Sequence, residues 1–182
     1  KSLWPNIEQN IKHELSQIDE IETIEVEFET KIVSHDAQKG VSPLPNIKNI
    51  IAIASGKGGV GKSTTSVNIA LALQQEGANV GLLDADIYGP SIPTMLNIKE
   101  KPLSEDGKSM QPLPAYGLQV MSIGALIEED SPMIWRGPIV TQTLTQLLKE
   151  TNWSDLDYLV IDLPPGTGDV QLTLSQQIPV TG

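Results

Sequence analysis

The chain has 182 residues, about the size of one domain, and it carries 12 Lys and Arg against 23 Asp and Glu, for a net charge of −11. The acidic balance argues against a general nucleic-acid binder, and the absence of cysteine excludes disulfides, thiolate metal ligands and a cysteine nucleophile within these residues. No apolar run reaches the roughly 20 residues that span a bilayer, and no signal peptide opens the sequence, so we expect a soluble, cytoplasmic protein.

The first 35 residues predict part of a small α+β domain. Apolar residues recur at helical spacing from Ile7 to Ile18, after a proline that suits a helix start. From Ile24 to Glu29, apolar residues alternate with glutamates, which is typical of a half-buried strand. One helix and one or two strands bury too little surface to be stable alone, so we expect residues 1–35 to end a domain that starts before Lys1. Residues 36–49 are rich in proline and lack periodicity, which predicts an interdomain linker.

Residues 50–182 follow an α/β pattern. Continuous apolar runs predict buried strands at Ile50–Ala54, Val80–Leu83, Leu118–Ile123 and Tyr158–Ile161. Helical spacing or capping signals predict helices at Ser63–Glu76, Val140–Glu150 and Asp169–Gln177. Between them, residues 86–116 are predicted to be largely irregular. Strands that alternate with helices predict a mostly parallel sheet, and the apolar run that begins at Ile178 predicts that this sheet is incomplete within the 182 residues.

A phosphate-binding loop is the most specific motif in the chain. The segment GKGGVGKST fits G-x-x-x-x-G-K-[ST] and lies between an apolar strand and a helix. Glycines let backbone N–H groups point inward around a phosphate, and the helix N-terminus presents further free N–H groups. Lys62 is predicted to bridge the β- and γ-phosphates of ATP, and the Ser63 hydroxyl to bind Mg²⁺. The predicted nucleotide-binding residues are Gly56, Lys57, Gly58, Gly59, Val60, Gly61, Lys62, Ser63 and Thr64.

Three acidic residues at strand ends are predicted to complete this site. Asp162 follows a buried strand and is predicted to hold Mg²⁺ through water, since Mg²⁺ keeps several of its waters. Asp84 and Asp86 end another strand and, at a spacing of two in extended chain, face the same side. We expect one of them to support the metal shell and the other to orient the attacking water. For either residue the alternative is a surface acid or a helix cap.

The second residue of the loop makes it resemble a known class. Lys57 gives the form KGGxGKST, which is similar to the partition-type ATPases that include ParA, MinD and the nitrogenase iron protein. In that class the early lysine reaches across a nucleotide-bound dimer to the phosphates of the partner. The resemblance therefore implies a homodimer in which Lys57 acts in trans, in the manner of an arginine finger.

Three further segments together resemble the Mrp/ApbC branch of that class. They are DADIYGPSIP from Asp84, WRGP from Trp135 and DLPPGTGD from Asp162. The resemblance covers about residues 47–182, and the first forty residues look like the end of the MIP18-type domain that precedes the ATPase in many members.

That branch consists of ATP-dependent iron–sulfur cluster carriers, so the resemblance implies a slow Mg²⁺-dependent ATPase coupled to cluster transfer. It also implies iron–sulfur donor or recipient proteins as partners. The catalytic residues would be Lys57, Lys62 and Asp86, with Asp86 as the switch I acid that orients water. The metal residues would be Ser63, Asp84 and Asp162, and residues 166–169 would form switch II. The family's cluster-binding cysteine pair lies after the point where this chain stops, so the cluster is expected only in a longer protein.

Two other functions stay open. A partition or positioning ATPase would bind DNA or a membrane as a nucleotide-dependent scaffold, but the charge of −11 and the lack of a basic patch argue against such binding by these residues. A nucleotide-binding module without hydrolysis is the third possibility, and the presence of Asp86 and Asp162 argues against it.

Overall fold

Five strands form one mostly parallel sheet in the computed structural model, which describes residues 1–37, 41–104, 107–125, 137–166, 173 and 176–182. The strands are β1 (Ile47–Ile53), β2 (Val80–Asp84), β3 (Leu113–Ala115), β4 (Leu118–Ser122) and β5 (Leu156–Asp162). The helices are α1 (Trp4–Leu15), α2 (Lys62–Gln75), α3 (Ile92–Met95) and α4 (Gly137–Glu150). In space the strands follow the order β1-β5-β2-β4-β3, and only β3 runs antiparallel to its neighbour. The predicted α/β class is thereby confirmed.

The order and register of the strands bring their polar carboxyl ends together. Asp162 at the end of β5 lies beside Ile53 of β1 on one side and Asp84 of β2 on the other. Asp84 in turn pairs with Ser122 at the end of β4. In a parallel sheet, residues in register point to the same face, so three polar side chains from three strands line one edge of the sheet.

Apolar side chains cover both faces of this sheet, as the continuous apolar runs predict. One face packs on α4 through a buried cluster that includes Ile50, Leu83, Met121, Leu144, Leu147, Leu159 and Ile161. The other face packs on α2 and α3 through Val67, Ala70, Leu82, Ile92, Leu118, Val120 and Val160. Among the described residues, no helix is long and apolar enough to cross a membrane.

The predicted elements differ from the observed ones mainly at their ends. β1 begins at Ile47, inside the predicted linker, and β5 begins two residues before the predicted start at Tyr158. The region predicted to be largely irregular contains the four-residue helix α3 and the short edge strand β3. The predicted helix at Asp169–Gln177 falls mostly outside the described residues.

The N-terminal segment agrees with its prediction in part. α1 begins at Trp4 with a proline in its first turn, as expected, but none of its residues is buried. The predicted strand over Ile24–Glu29 was wrong, because no strand is assigned there and no described strand pairs with it. The alternation nevertheless persists in the exposures: the apolar side chains are half-buried and the glutamates are exposed. Phe28 stacks on Trp4 with ring centroids 5.0 Å apart.

Candidate nucleotide-binding site

The loop between β1 and α2 has the backbone that the motif predicts. Gly59 and Gly61 have φ angles of +74° and +90°, which L side chains rarely adopt. A Cβ added at Gly58, Gly59 or Gly61 would meet no protein atom within 4 Å, so the glycines leave open space rather than fit a packed core. Gly61 caps α2 without any side-chain hydrogen bond. The N-terminus of α2 therefore offers backbone donors to an anion.

An open cavity of about 400 Å³ lies against this loop. Its wall is formed by residues 57–59 and 61–64 of the loop, by Asp86 and the segment that follows it, and by Pro165 after β5. A larger cavity of about 1060 Å³ lies at the other end of the sheet, beside residues 41–47 and 145–155. The smaller cavity is the candidate site, because the buried charged side chains lie there.

Lys62 occupies the centre of the site as a buried cation. Its Nζ lies 2.9 Å from Asp162 Oδ1 and 3.2 Å from Asp86 Oδ2, and its side chain is only 6% exposed. A buried ammonium must recover its lost hydration from close anions. The two carboxylates supply here the negative charge that phosphate oxygens would supply in a complex with a nucleotide.

Asp162 is fully buried and is held by three side chains from the start of α2. Its Oδ2 accepts a hydrogen bond from Ser63 Oγ at 2.5 Å, and its Oδ1 accepts one from Ser66 Oγ at 2.9 Å in addition to the Lys62 ion pair. The structure thus brings Lys62, Ser63 and Asp162 together, as the sequence predicts.

Asp84 is also fully buried, but its described contacts are with backbone amides and a hydroxyl rather than with the phosphate loop. Its Oδ1 accepts the N–H of Asp86 at 3.2 Å, and its Oδ2 accepts the N–H of Ile92 at 3.1 Å. Ser122 Oγ lies 3.4 Å from the same Oδ2. Burial raises the pKa of Asp84 to about 7 against these amide hydrogen bonds, and the charges of Asp162 and Asp86 add to the rise.

These contacts favour a role for Asp84 in holding the chain between β2 and α3, which carries Asp86. Its metal role stays a prediction.

Asp86 leaves one buried oxygen without a partner. Its Oδ2 pairs with Lys62, whereas its Oδ1 is buried and has no hydrogen-bond partner among the described residues. An unpaired buried acceptor costs free energy until a donor reaches it, and a water or a hydrated cation in the cavity would supply that donor.

The donor set fits Mg²⁺, because the Ser63 hydroxyl and the Asp86 carboxylate line the cavity and the buried Asp162 carboxylate lies next to Ser63. The residues that would hold it are Ser63 directly and Asp162 through water. No group of three or more His, Cys, Asp or Glu side chains with metal-ligand geometry occurs among the described residues. A site formed by these side chains would therefore depend on phosphate oxygens to complete the shell.

Lys57 differs from Lys62 in its surroundings. Lys57 is exposed at the cavity wall, and within the described part of the chain its ammonium makes no hydrogen bond or ion pair. Val60 beside it is 62% exposed. Of the predicted switch II, only Gly166 is described: its N–H donates to Ser55 O at 2.8 Å, and Thr167, Gly168 and Asp169 lie outside the described residues.

Two residues at the site were missed by sequence reasoning. Ser66 binds Asp162. It could have been found from the sequence, because it lies one helical turn after Lys62 on the same face of α2. Ser122 contacts Asp84. The feature that indicates it is its position at the end of β4, the strand next to β2 in the sheet. This feature depends on the strand order, which the sequence alone did not determine.

A parallel sheet with a glycine loop before α2, a buried Lys62 and an acid at the end of a neighbouring strand defines the class of P-loop NTPases. Residues 46–182 match the family described as "ParA: NUBPL iron-transfer P-loop NTPase", and the chain belongs to this family. The resemblance on which the sequence analysis relied is thereby confirmed.

Individual relatives are similar over much of the chain. It is 52% identical over 182 residues to the iron-sulfur cluster carrier protein of Escherichia coli, covering 100% of this chain and 49% of that protein. It is 50% identical over 155 residues to the iron-sulfur cluster transfer protein NUBPL of Mus musculus, covering 84% and 48%.

The fold also matches a solved nucleotide-binding protein from Archaeoglobus fulgidus in complex with ADP. The TM-score is 0.62 at 40% identity, over 72% of this chain and 50% of that one. The chain spans about half the length of the curated relatives that it matches.

Proposed function

We propose that this chain provides the ATP-hydrolysing site of an iron–sulfur cluster carrier. The observation that carries the proposal is the buried arrangement of Lys62, Ser63, Asp86 and Asp162 around an open glycine loop. The names of the relatives indicate that the cargo is an iron–sulfur cluster. The ADP in the Archaeoglobus fulgidus protein supports a nucleotide as the ligand.

In the proposed reaction, the loop amides and the N-terminus of α2 bind the phosphates, and Lys62 exchanges its two carboxylates for phosphate oxygens. Ser63 and Asp162 would hold Mg²⁺, which when bound supplies charge neutralisation on the β- and γ-phosphates. Asp86, freed from Lys62, would orient the attacking water through its unpartnered Oδ1. Because the Lys62 ion pairs must break first, we expect hydrolysis to be slow.

We further propose that Lys57 acts across a homodimer. Its exposed, unpaired ammonium at the cavity wall supports this role, since nothing within the described residues holds it in its own site. Mixing Lys57→Ala with Asp86→Asn tests the idea, because a mixed dimer contains one site with both groups intact. Partial recovery of ATP turnover is expected, and no recovery at any mixing ratio would contradict action in trans.

The cluster itself is cargo that these residues do not bind through thiolates, since they contain no cysteine. Its ligands and its donor or recipient proteins lie outside the 182 residues. Anaerobic reconstitution of the longer protein, with iron and sulfide assayed after desalting, tests the carrier function. Bound iron and sulfide are expected. ATP-dependent co-sedimentation with DNA or liposomes, without bound iron, would instead favour a positioning ATPase.

A further inference from the structure

Ser66 is a buried hydroxyl in the site that the proposed reaction does not yet use. It lies on the second turn of α2, is 0% exposed, and its Oγ is 2.9 Å from Asp162 Oδ1. The same Oγ lies 3.1 Å from the carbonyl oxygen of Lys62. A serine hydroxyl has one proton, and a carboxylate is the stronger acceptor of the two, so Asp162 is the better partner for it.

Lys62, Ser63 and Ser66 all contact Asp162, and they differ in whether a bound nucleotide and its metal also require them. Lys62 and Ser63 both have a second task, because the phosphates require the ammonium and the metal requires the hydroxyl. When they take up that task, they release the fully buried carboxylate of Asp162. Ser66 is fully buried, does not line the cavity and contacts Asp162, so its hydroxyl is assigned neither to the phosphates nor to the metal.

We propose that Ser66 is a positioning residue that keeps the Asp162 carboxylate oriented toward the metal while a nucleotide holds Lys62 and Ser63. The inference rests on the proposed function, because it assumes that Mg²⁺ and a nucleotide bind at this loop. Ser66 acts through Asp162 and does not touch the reacting atoms. The α2 backbone fixes its position, so the hydrogen bond needs no rearrangement when the nucleotide arrives.

Thr65 offers a matched control in the neighbouring position. Its hydroxyl also lies near the backbone carbonyl four residues back and donates to Gly61 O at 2.9 Å, but Thr65 is exposed and no described contact links it to Asp162. Alanine at either position removes one such bond, and alanine is the best helix former. A purely structural effect of losing the hydroxyl should therefore be similar in the two variants.

The test measures ADP binding by calorimetry with and without Mg²⁺, together with ATP turnover, in wild type, Ser66→Ala and Thr65→Ala. In wild type and Thr65→Ala, Mg²⁺ should tighten ADP binding by the same factor. In Ser66→Ala that factor should fall about tenfold, because the hydrogen bond that alanine removes orients Asp162 toward the metal. ADP binding without Mg²⁺ does not depend on that orientation and should change much less. ATP turnover should fall by a similar factor.

Equal Mg²⁺ dependence in Ser66→Ala and Thr65→Ala would overturn the inference while leaving the proposed function intact. Absence of nucleotide binding and turnover in wild type would overturn the proposed function, and the inference with it. If Ser66→Ala does not fold, Ser66→Thr keeps the hydroxyl and should keep the Mg²⁺ effect. Loss of that effect in folded Ser66→Thr would contradict the inference.

Discussion

The two ends of the sheet each contain a lysine–aspartate pair, and the pairs differ in how completely they are satisfied. At the amino ends of the strands, Lys48 Nζ lies 2.6 Å from Asp157 Oδ1, and the other oxygen accepts the N–H of Asn79 at 2.8 Å. At the carboxyl ends, Lys62 lies between two carboxylates, and Asp86 Oδ1 has no partner in the part of the chain that the structure describes. The groups of the first pair satisfy one another within the fold, whereas the second pair leaves an acceptor oxygen for a ligand.

Exposure sharpens the contrast between the two pairs. The Lys48 side chain is 49% exposed, so its pair is screened by water and adds little to stability. The Lys62 side chain is almost fully buried together with two acids, and removing these charges from water costs free energy. Such an arrangement is typical of a binding site. Similar residue types thus form a weak structural contact at one end of the sheet and a buried charged site at the other.

The largest expected effect is the difference in ATP turnover between the alanine variants of Lys62 and Lys48. Lys62→Ala should abolish ATP turnover, because Lys62 is the buried cation that is predicted to bridge the β- and γ-phosphates. Steady-state phosphate release measures this. Lys48→Ala is the control at the other end of the sheet and should leave turnover unchanged while costing about 0.2–1 kcal/mol of stability. Equal turnover in the two variants would place the chemistry elsewhere.

A smaller effect on ATP turnover is expected when Asp86, which carries the unpartnered Oδ1, is replaced. Asp86→Asn should slow ATP turnover by about 10²-fold or more, because the group that orients water loses its charge. It should change the thermal unfolding midpoint little, because the loss of one Lys62 ion pair is offset by the removal of a buried charge near Asp84 and Asp162. A clear drop in that midpoint together with unchanged turnover would show that Asp86 is structural.

Effects on stability rather than on turnover are expected from pH, and they have opposite signs at the two ends of the sheet. Ionised Asp84 costs stability because its pKa rises from 3.8 to about 7 on folding, so the cost is absent below about pH 4 and complete above pH 7. Asp84→Asn should therefore gain stability relative to wild type as pH rises through this window, by roughly 4 kcal/mol at most. Thermal unfolding from pH 4 to 8 without nucleotide measures the difference.

The pKa of Asp157 shifts in the opposite direction from that of Asp84. Burial opposes its ionisation, but the hydrogen bonds from Lys48 and Asn79 outweigh burial and hold its pKa below the ordinary value. Its contribution is present above pH 3.8 and is lost as pH falls further, so Asp157→Asn should cost stability at neutral pH and less in acid. The same trend with pH in both variants would contradict the contrast between the two ends.

Local signals explain how much of this site was predictable from the sequence. The strands before the loop and at β5 are continuous apolar runs, and the glycine spacing specifies the loop, so Lys62, Ser63 and Asp162 were placed correctly. Ser66 and Ser122 were missed because their partners lie on other elements, and only the packing of α2 and the strand order bring them close. The alternation at Ile24–Glu29 indicated which side chains are half-buried, but a strand also needs a hydrogen-bonded neighbour.

The central claim is that a nucleotide replaces the carboxylates around Lys62, and a crystal structure of the protein with ADP and Mg²⁺ tests it directly. We predict that the phosphates occupy the cavity at residues 57–64, that Lys62 no longer bridges Asp86 and Asp162, and that Ser66 still donates to Asp162. ADP bound elsewhere, for example in the larger cavity beside residues 145–155, with both Lys62 ion pairs intact, would contradict the account.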